Sequence, residues 1–197
     1  MTVGFRRGFK TWCENTAQGF RRDLGLPVVS PLDPRRLAQH LNILVWTPEE
    51  VARLGKMAQR HLDQLVKRDS RSWSAVTLVV PGQHLIIVNS AHSAVRQNSD
   101  LMHELAHMVL EHEPARVDMS QQGLMILDTY DKSQEDEADW LGGVLLVPRE
   151  ALLLVLGRDK RNEYAASHFS VSGEMIAWRR QATGIDIQLG RRGGAAK

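Results

Sequence analysis

Cysteine is almost missing from this chain of 197 residues. Cys13 stands alone, so no disulfide can form within the chain, and a reducing compartment, the cytoplasm, is the expected setting. Long apolar runs are missing as well. None approaches the roughly 20 residues of a membrane-spanning helix, and the arginine-bearing N-terminus has no continuous apolar stretch of the kind a signal peptide carries. Net charge is small: 25 Lys and Arg against 23 Asp and Glu leave +2, which excludes a strong global pull towards nucleic acid or membrane. Repeats and low-complexity segments are lacking, apart from a Gly-Gly-Ala-Ala tail from Gly193 that is expected to fray. What is present is ordinary for a globular protein. Hydrophobic residues make up 43%, enough for a real core, and the length suits one domain with a small appendage.

Periodicity divides the chain into mostly helical segments. Phe5, Phe9, Trp12, Ala17, Phe20 and Leu24 recur at near-helical spacing among arginines, and Gly25 and Pro27 close that segment. Arg6, Arg7, Lys10, Arg21 and Arg22 near one end, and Arg179, Arg180, Arg191 and Arg192 near the other, read as solvated basic faces. Asp33 followed by Pro34 opens a short helix to about Leu41, and Thr47 followed by Pro48 opens another, with a break at Gly55 and a helix from Lys56 to about Arg68. Ile43–Trp46 is a short strand. Ser74–Val80 and His84–Val88, joined by Pro81-Gly82-Gln83, read as a hairpin. A helix follows from about Ala94 to His112, with Asn98 and Ser99 as an internal start signal. Glu113 to Lys132 reads as an irregular connection. Ser133 caps a helix to Val147, Pro148 opens one to about Leu156, and two short helices follow, near Arg161–His168 and Ser172–Ala182.

The chemistry concentrates in His103-Glu104-Leu105-Ala106-His107. On a helix, residues four apart share a face, so both imidazoles reach one metal ion, and the intervening glutamate can hold a metal-bound water. A catalytic zinc takes three protein ligands and leaves one position open. His112 lies five residues after His107, about 140° round a helix from it, and misses the metzincin spacing, so it reads as a helix-end residue favoured by the helix dipole. The cluster Glu135-Asp136-Glu137-Ala138-Asp139 is the better source. Glu135 and Asp139 are four apart on one helix face. Glu135 would take the metal, and Asp139 would accept the outer ring N–H of a ligand histidine and fix its tautomer. Glu137 points to a different face and is the lesser candidate.

These two motifs, with the segment Phe9 to Ala17, the Leu24–Pro27 turn and the approach Arg96 to His103, resemble the ImmA/IrrE metallopeptidases. Their pattern is H-E-x-x-H, then E-x-x-A-[N/D]-x-F-A-x-x-L-L-M-P. The resemblance extends over about residues 5–185. Trp140 and Leu141 stand where Phe-Ala is usual, and Val147 replaces the methionine before the proline; all three are packing positions. The resemblance implies an α+β fold, mostly helical with a small antiparallel or mixed sheet, around a minimal zincin-like, glutamate-ligand (gluzincin) core. It implies one Zn2+ held by His103, His107 and Glu135, with Glu104 as general base towards a zinc-activated water. It also implies a substrate: a helix-turn-helix transcriptional repressor whose cleavage derepresses stress-response or mobile-element genes. A repressor-like domain fused before the peptidase in some relatives is not seen here, so a free-standing peptidase is expected. An electrophile for the oxyanion would come from Tyr130, His92 or Arg96. His84–Val88 is a candidate edge for pairing with an extended substrate.

The domain organisation expected from this reading is a peptidase domain over 1–156, a small helical subdomain over 157–190 and a flexible tail over 191–197. Ala165 to Ile176 resembles a helix-turn-helix, with Ser170 at the turn position that prefers glycine, and Arg179 and Arg180 further along. Two other classes therefore stand beside the peptidase: a DNA-binding regulator with a vestigial metal site, and an inactive, zinc-stabilised interaction module.

Overall fold

Capping side chains set where several elements begin. The computed structural model describes residues 4–55, 59–80, 83–112, 117–119, 125–127 and 131–194. The first helix, α1 (Phe9–Asp23), ends at Leu24 beside Gly25, which takes a left-handed turn. Asp33 accepts a hydrogen bond from the Arg35 backbone and, with Pro34 at the first position, starts α2 (Pro34–His40). Thr47 and Glu50 form a reciprocal capping box that starts α3 (Pro48–Arg53) after strand β1 (Leu44–Trp46). Helix α4 (Gln59–Asp63) runs into a π-helical turn, Gln64–Arg68. The hairpin comprises β2 (Ala75–Val80) and β3 (Gln83–Val88).

The next helix, α5 (Ala94–Val109), carries the histidine motif. Its N-cap is Ser93, which accepts a hydrogen bond from the Arg96 backbone, and the helix begins at Ala94 as the sequence suggests. Two three-residue strands, β4 (Val117–Met119) and β5 (Met125–Leu127), pair antiparallel inside the segment that the sequence presents as irregular. Asp131, not Ser133, caps α6 (Lys132–Leu146); its carboxylate accepts from the Ser133 backbone at 2.8 Å. Helices α7 (Arg149–Arg158), α8 (Asn162–Phe169), α9 (Gly173–Thr183) and α10 (Ile185–Gly194) complete the chain, so helix continues to Gly194 where a flexible tail was expected from 191.

The architecture is α+β, mainly helical, with a small mixed sheet in the order β1-β3-β2. β1 lies parallel to β3, with Val45 opposite Ile86; β2 lies antiparallel, with Thr77 opposite Ile86. β3 is therefore the middle strand and cannot be the free edge that His84–Val88 suggested. Periodicity shows that a strand exists but not which neighbours flank it. Among the described residues no strand pairs with the outer edge of β2.

One buried cluster unites the chain. Phe9, Cys13 and Ala17 of α1, Ile86 and Val88 of β3, Leu101 and Leu105 of α5, and Leu141 and Leu145 of α6 belong to it. So do Leu152, Phe169, Ile176 and Ile185, so the C-terminal helices share the core of the rest. Burial pushes the Cys13 thiol up to about 12, with the Glu14 carboxylate adding to the rise. Arg179 is fully buried: it donates to Glu14 at 2.6 Å and to the Val147 carbonyl at 2.9 Å. Arg180 is tied to Asp186, Asn162 and the Lys160 carbonyl. These two arginines hold helices together. No single helix among the described residues is long and apolar enough to cross a membrane.

The α6–α9 contact yields a prediction. A Cβ on Gly143 would overlap the Trp178 ring, whereas one on Gly142 would meet nothing nearer than the Met102 carbonyl at 3.5 Å. Gly143→Ala is expected to destabilise the protein by about 1–3 kcal/mol in urea unfolding, the usual cost of overpacking. Gly142→Ala should stay within about 1 kcal/mol of the parent, since helix propensity favours Ala. Equal effects from the two neighbours would contradict the packing described.

Candidate metal centre

Burial sets the rotation of α5. Leu101, Met102, Leu105 and Ala106 are all buried, each large side chain stabilising the fold by about 2 kcal/mol. At about 100° per residue, that stripe leaves His103, Glu104 and His107 on the flank of the helix. α6 buries Ala138, Leu141 and Leu145, and places Glu135 and Asp139 one turn apart on the face that meets α5. The helices meet at Gly142, where a Cβ would lie in ordinary contact, 3.6 Å from the His103 Cα.

Three donors converge there. His103 Nε2 lies 3.0 Å from His107 Nε2. Glu135 contributes one oxygen 3.2 Å from His103 Nε2 and the other 3.5 Å from His107 Nε2. Together they form a group able to hold a metal ion. Behind His103, the Asp139 carboxylate is 2.9 Å from Nδ1. Behind His107 stands His112, with the two Nδ1 atoms 2.9 Å apart, and His112 Nε2 lies 3.3 Å from Glu137. Neither His112 nor Glu137 reaches the converging atoms. Glu137 sits away from the Glu135 face, as its helical offset requires.

The electrostatics of the three titrating groups differ. Burial alone would lower the pKa of His103, but the Asp139 hydrogen bond and the charges of Asp139, Glu104 and Glu135 outweigh it and raise the pKa above 6.5. Burial and the neighbouring imidazoles His103 and His112 bring His107 down to about 4. Glu104 is raised above the usual carboxylate range by burial, opposed by a hydrogen bond from the Thr77 hydroxyl. Thr77 belongs to β2, so the edge strand holds the glutamate in place. No sequence pattern marks Thr77; only the register of β2 against α5 reveals it.

A cleft of about 360 Å3 opens beside these residues, lined by Ser74 just before β2, Ala75 of β2, His103 and Glu104 of α5, Gly142 of α6 and Met175 of α9 among others. The three oxyanion candidates fare differently. Tyr130 lies outside the described residues. His92 has both ring nitrogens engaged, one with Asp100 at 3.0 Å and the other with the Ser70 carbonyl at 3.0 Å, so it clasps a loop to α5. Arg96 reaches Ser74 at 3.3 Å and Asp100 at 3.6 Å, both at the lining of the cleft.

Comparison with known proteins adds one positive finding. Residues 53–180, more than half of the chain and both motifs, match the family of M78 peptidases through its IrrE N-terminal-like domain. No curated protein matches the chain.

A metal held by this group must displace the protons of its ligands. Because the pKa of His103 lies above 6.5, affinity for a divalent metal is expected to fall as pH is lowered, starting before pH 6.5 is reached. It should drop about tenfold per pH unit for each proton displaced. A competition titration with a chromogenic chelator across pH reads this directly. An affinity that stays level to pH values well below the ordinary histidine range would contradict the ligand assignment.

Proposed function

The chain belongs to the M78 peptidase family, and from that premise we propose that it is a zinc-dependent endopeptidase acting on a cytoplasmic regulatory protein, a helix-turn-helix transcriptional repressor. The convergence of His103, His107 and Glu135 beside Glu104 is the observation that carries the proposal. The donor set suits zinc: two imidazoles and a carboxylate, with room for a fourth ligand, is a catalytic pattern. A tetrahedral ion with bonds of about 2.0–2.2 Å needs ligand atoms about 3.3–3.6 Å apart. Here the two Nε2 atoms are 3.0 Å apart, slightly closer than that, and Glu135 lies 3.2 Å from His103 through one oxygen and 3.5 Å from His107 through the other. When bound, zinc supplies a Lewis acid that lowers the pKa of water and polarises a carbonyl.

The chain's own residues supply the rest. Glu104, made more basic by burial, takes a proton from the attacking water at a carboxylate oxygen and delivers it to the leaving amine nitrogen as the peptide C–N bond breaks. Thr77 keeps that carboxylate from rotating away and limits how far its pKa rises. Asp139 accepts the His103 Nδ1–H, which leaves Nε2 as a lone pair facing the ligand group. The outer edge of β2, next to the cleft, suits an extended substrate segment through main-chain hydrogen bonds. Exposed Val76 and Leu78 lie on the same strand. Arg96, which contacts Ser74 and Asp100 of the cleft lining, is the described candidate for steadying the oxyanion. The repressor as substrate, and a role in stress responses, rest on the family resemblance alone.

Incubation with a repressor encoded beside the gene tests the activity. The wild type is expected to cut it, and Glu104→Gln to lose on the order of 10²–10⁴ in rate, the usual share of a general base, while retaining zinc. Undiminished cleavage by that variant would contradict the assigned base. Thr77→Val tests the strand contact. Glu104 acts deprotonated, so its rate falls as pH drops through its pKa. Removing the hydroxyl lets that pKa climb, so the acid limb of the kcat/KM profile should move to higher pH. An unmoved or lowered limb would contradict the role of Thr77.

A further inference from the structure

His112 and Glu137 are buried or half-buried ionisable groups beside the metal group that the mechanism above does not use. Their placement follows from how α5 ends. The helix stops at Val109, and Glu111 takes a left-handed backbone, φ 55°. That turn brings the chain back, and the His112 backbone N–H bonds the His107 carbonyl at 3.1 Å. The His112 ring then stands edge-on to His107, centroids 5.0 Å apart. Only 8% of its side chain is exposed, so water has little access to replace its partners.

We propose that Glu137 and His112 form a positioning relay that fixes the tautomer of His107 and so completes the zinc site. The proposal rests on the zinc reading above. Two ring nitrogens 2.9 Å apart share one proton: one donates and the other accepts. An ionised carboxylate only accepts, so His112 donates its Nε2–H to Glu137. Neutral His112 then carries a lone pair on Nδ1, which accepts the Nδ1–H of His107. His107 is left with its lone pair on Nε2, the atom that faces His103 Nε2 and Glu135. The opposite arrangement would put a proton on His107 Nε2 and block a metal. Asp139 does the same for His103 directly, so each ligand histidine has an acceptor behind it. α6 supplies both ends of the scheme: Glu135 as a ligand and, two residues on, Glu137 as the anchor of the relay. His112 and Glu137 are thus positioning residues, not ligands.

Zinc affinity of the full-length protein, measured against a chromogenic chelator near neutral pH, tests the relay without reference to peptidase activity. His112→Phe keeps a flat ring in place but removes the acceptor; it should weaken zinc binding on the order of 10- to 100-fold, as loss of an outer hydrogen-bond partner does. His112→Asn offers an amide oxygen near the place of Nδ1 and should recover most of that loss. Glu137→Ala, on a partly exposed helix position, should weaken binding in the same direction by less. Circular dichroism establishes that each variant is folded; should His112→Phe fail to fold, His112→Asn and Glu137→Ala carry the test. Wild-type affinity in His112→Phe or in Glu137→Ala would overturn the relay, as would an Asn variant no better than Phe. A wild type that binds no zinc would overturn the metal reading and the relay together. A wild type that binds zinc but cuts nothing would overturn the peptidase reading while leaving the relay standing.

Discussion

The close packing of α5 on α6 is the constraint on which the rest of this molecule depends. Neither helix holds a complete site. α5 carries two imidazoles and a glutamate, and α6 carries the carboxylates that face them. The apolar stripes Leu101–Leu105 and Ala138–Leu141–Leu145 lock the rotation of each helix, and Gly142 sits against the backbone of His103. A rotation of either helix by one residue, about 100°, would scatter the donors. The sheet adds the third wall, with Thr77 of β2 meeting Glu104. α9 packs on α6 through Trp178, whose ring lies against Gly143 and edge-on to Trp140.

That packing gathers charges that do not sit comfortably together without a cation. His103 and His107 face each other through nitrogens that both need a lone pair or a shared proton. Their pKa values move in opposite directions, His103 up and His107 down to about 4. Carboxylates surround them: Glu104, Glu135, Asp139 and, behind His112, Glu137. A divalent ion relieves both problems, since it replaces the shared proton and balances the carboxylates. Burial raises the pKa of Glu104, the carboxylate that the proposed chemistry needs as a base.

Much of this organisation is legible in the sequence because helices have a fixed period. Spacing alone places His103 with His107 and Glu135 with Asp139, and the structure brings those four side chains to one place. Spacing fails where the helix ends. His112 lies off the metal face of an ideal helix, but the left-handed Glu111 folds it back onto the outer nitrogen of His107. A positive φ at a glutamate leaves no compositional mark. The free edge was misplaced for a related reason. His84–Val88 reads as a strand, and only the three-dimensional order shows β1 on one side of it and β2 on the other. The arginines of α9 look like a solvated basic face in the sequence, yet Arg179 is buried against Glu14, a partner 165 positions away. Long-range pairing of this kind has no local signature.

A metal held between α5 and α6 by His103, His107 and Glu135 is the claim from which the chemistry follows. Anomalous diffraction at the zinc absorption edge, from crystals of the zinc-loaded protein, tests it most directly. A single strong peak is expected within about 2.0–2.2 Å of both histidine Nε2 atoms and a Glu135 oxygen. No peak between the two helices, or a peak ligated by His112 or Glu137 in place of these residues, would contradict it.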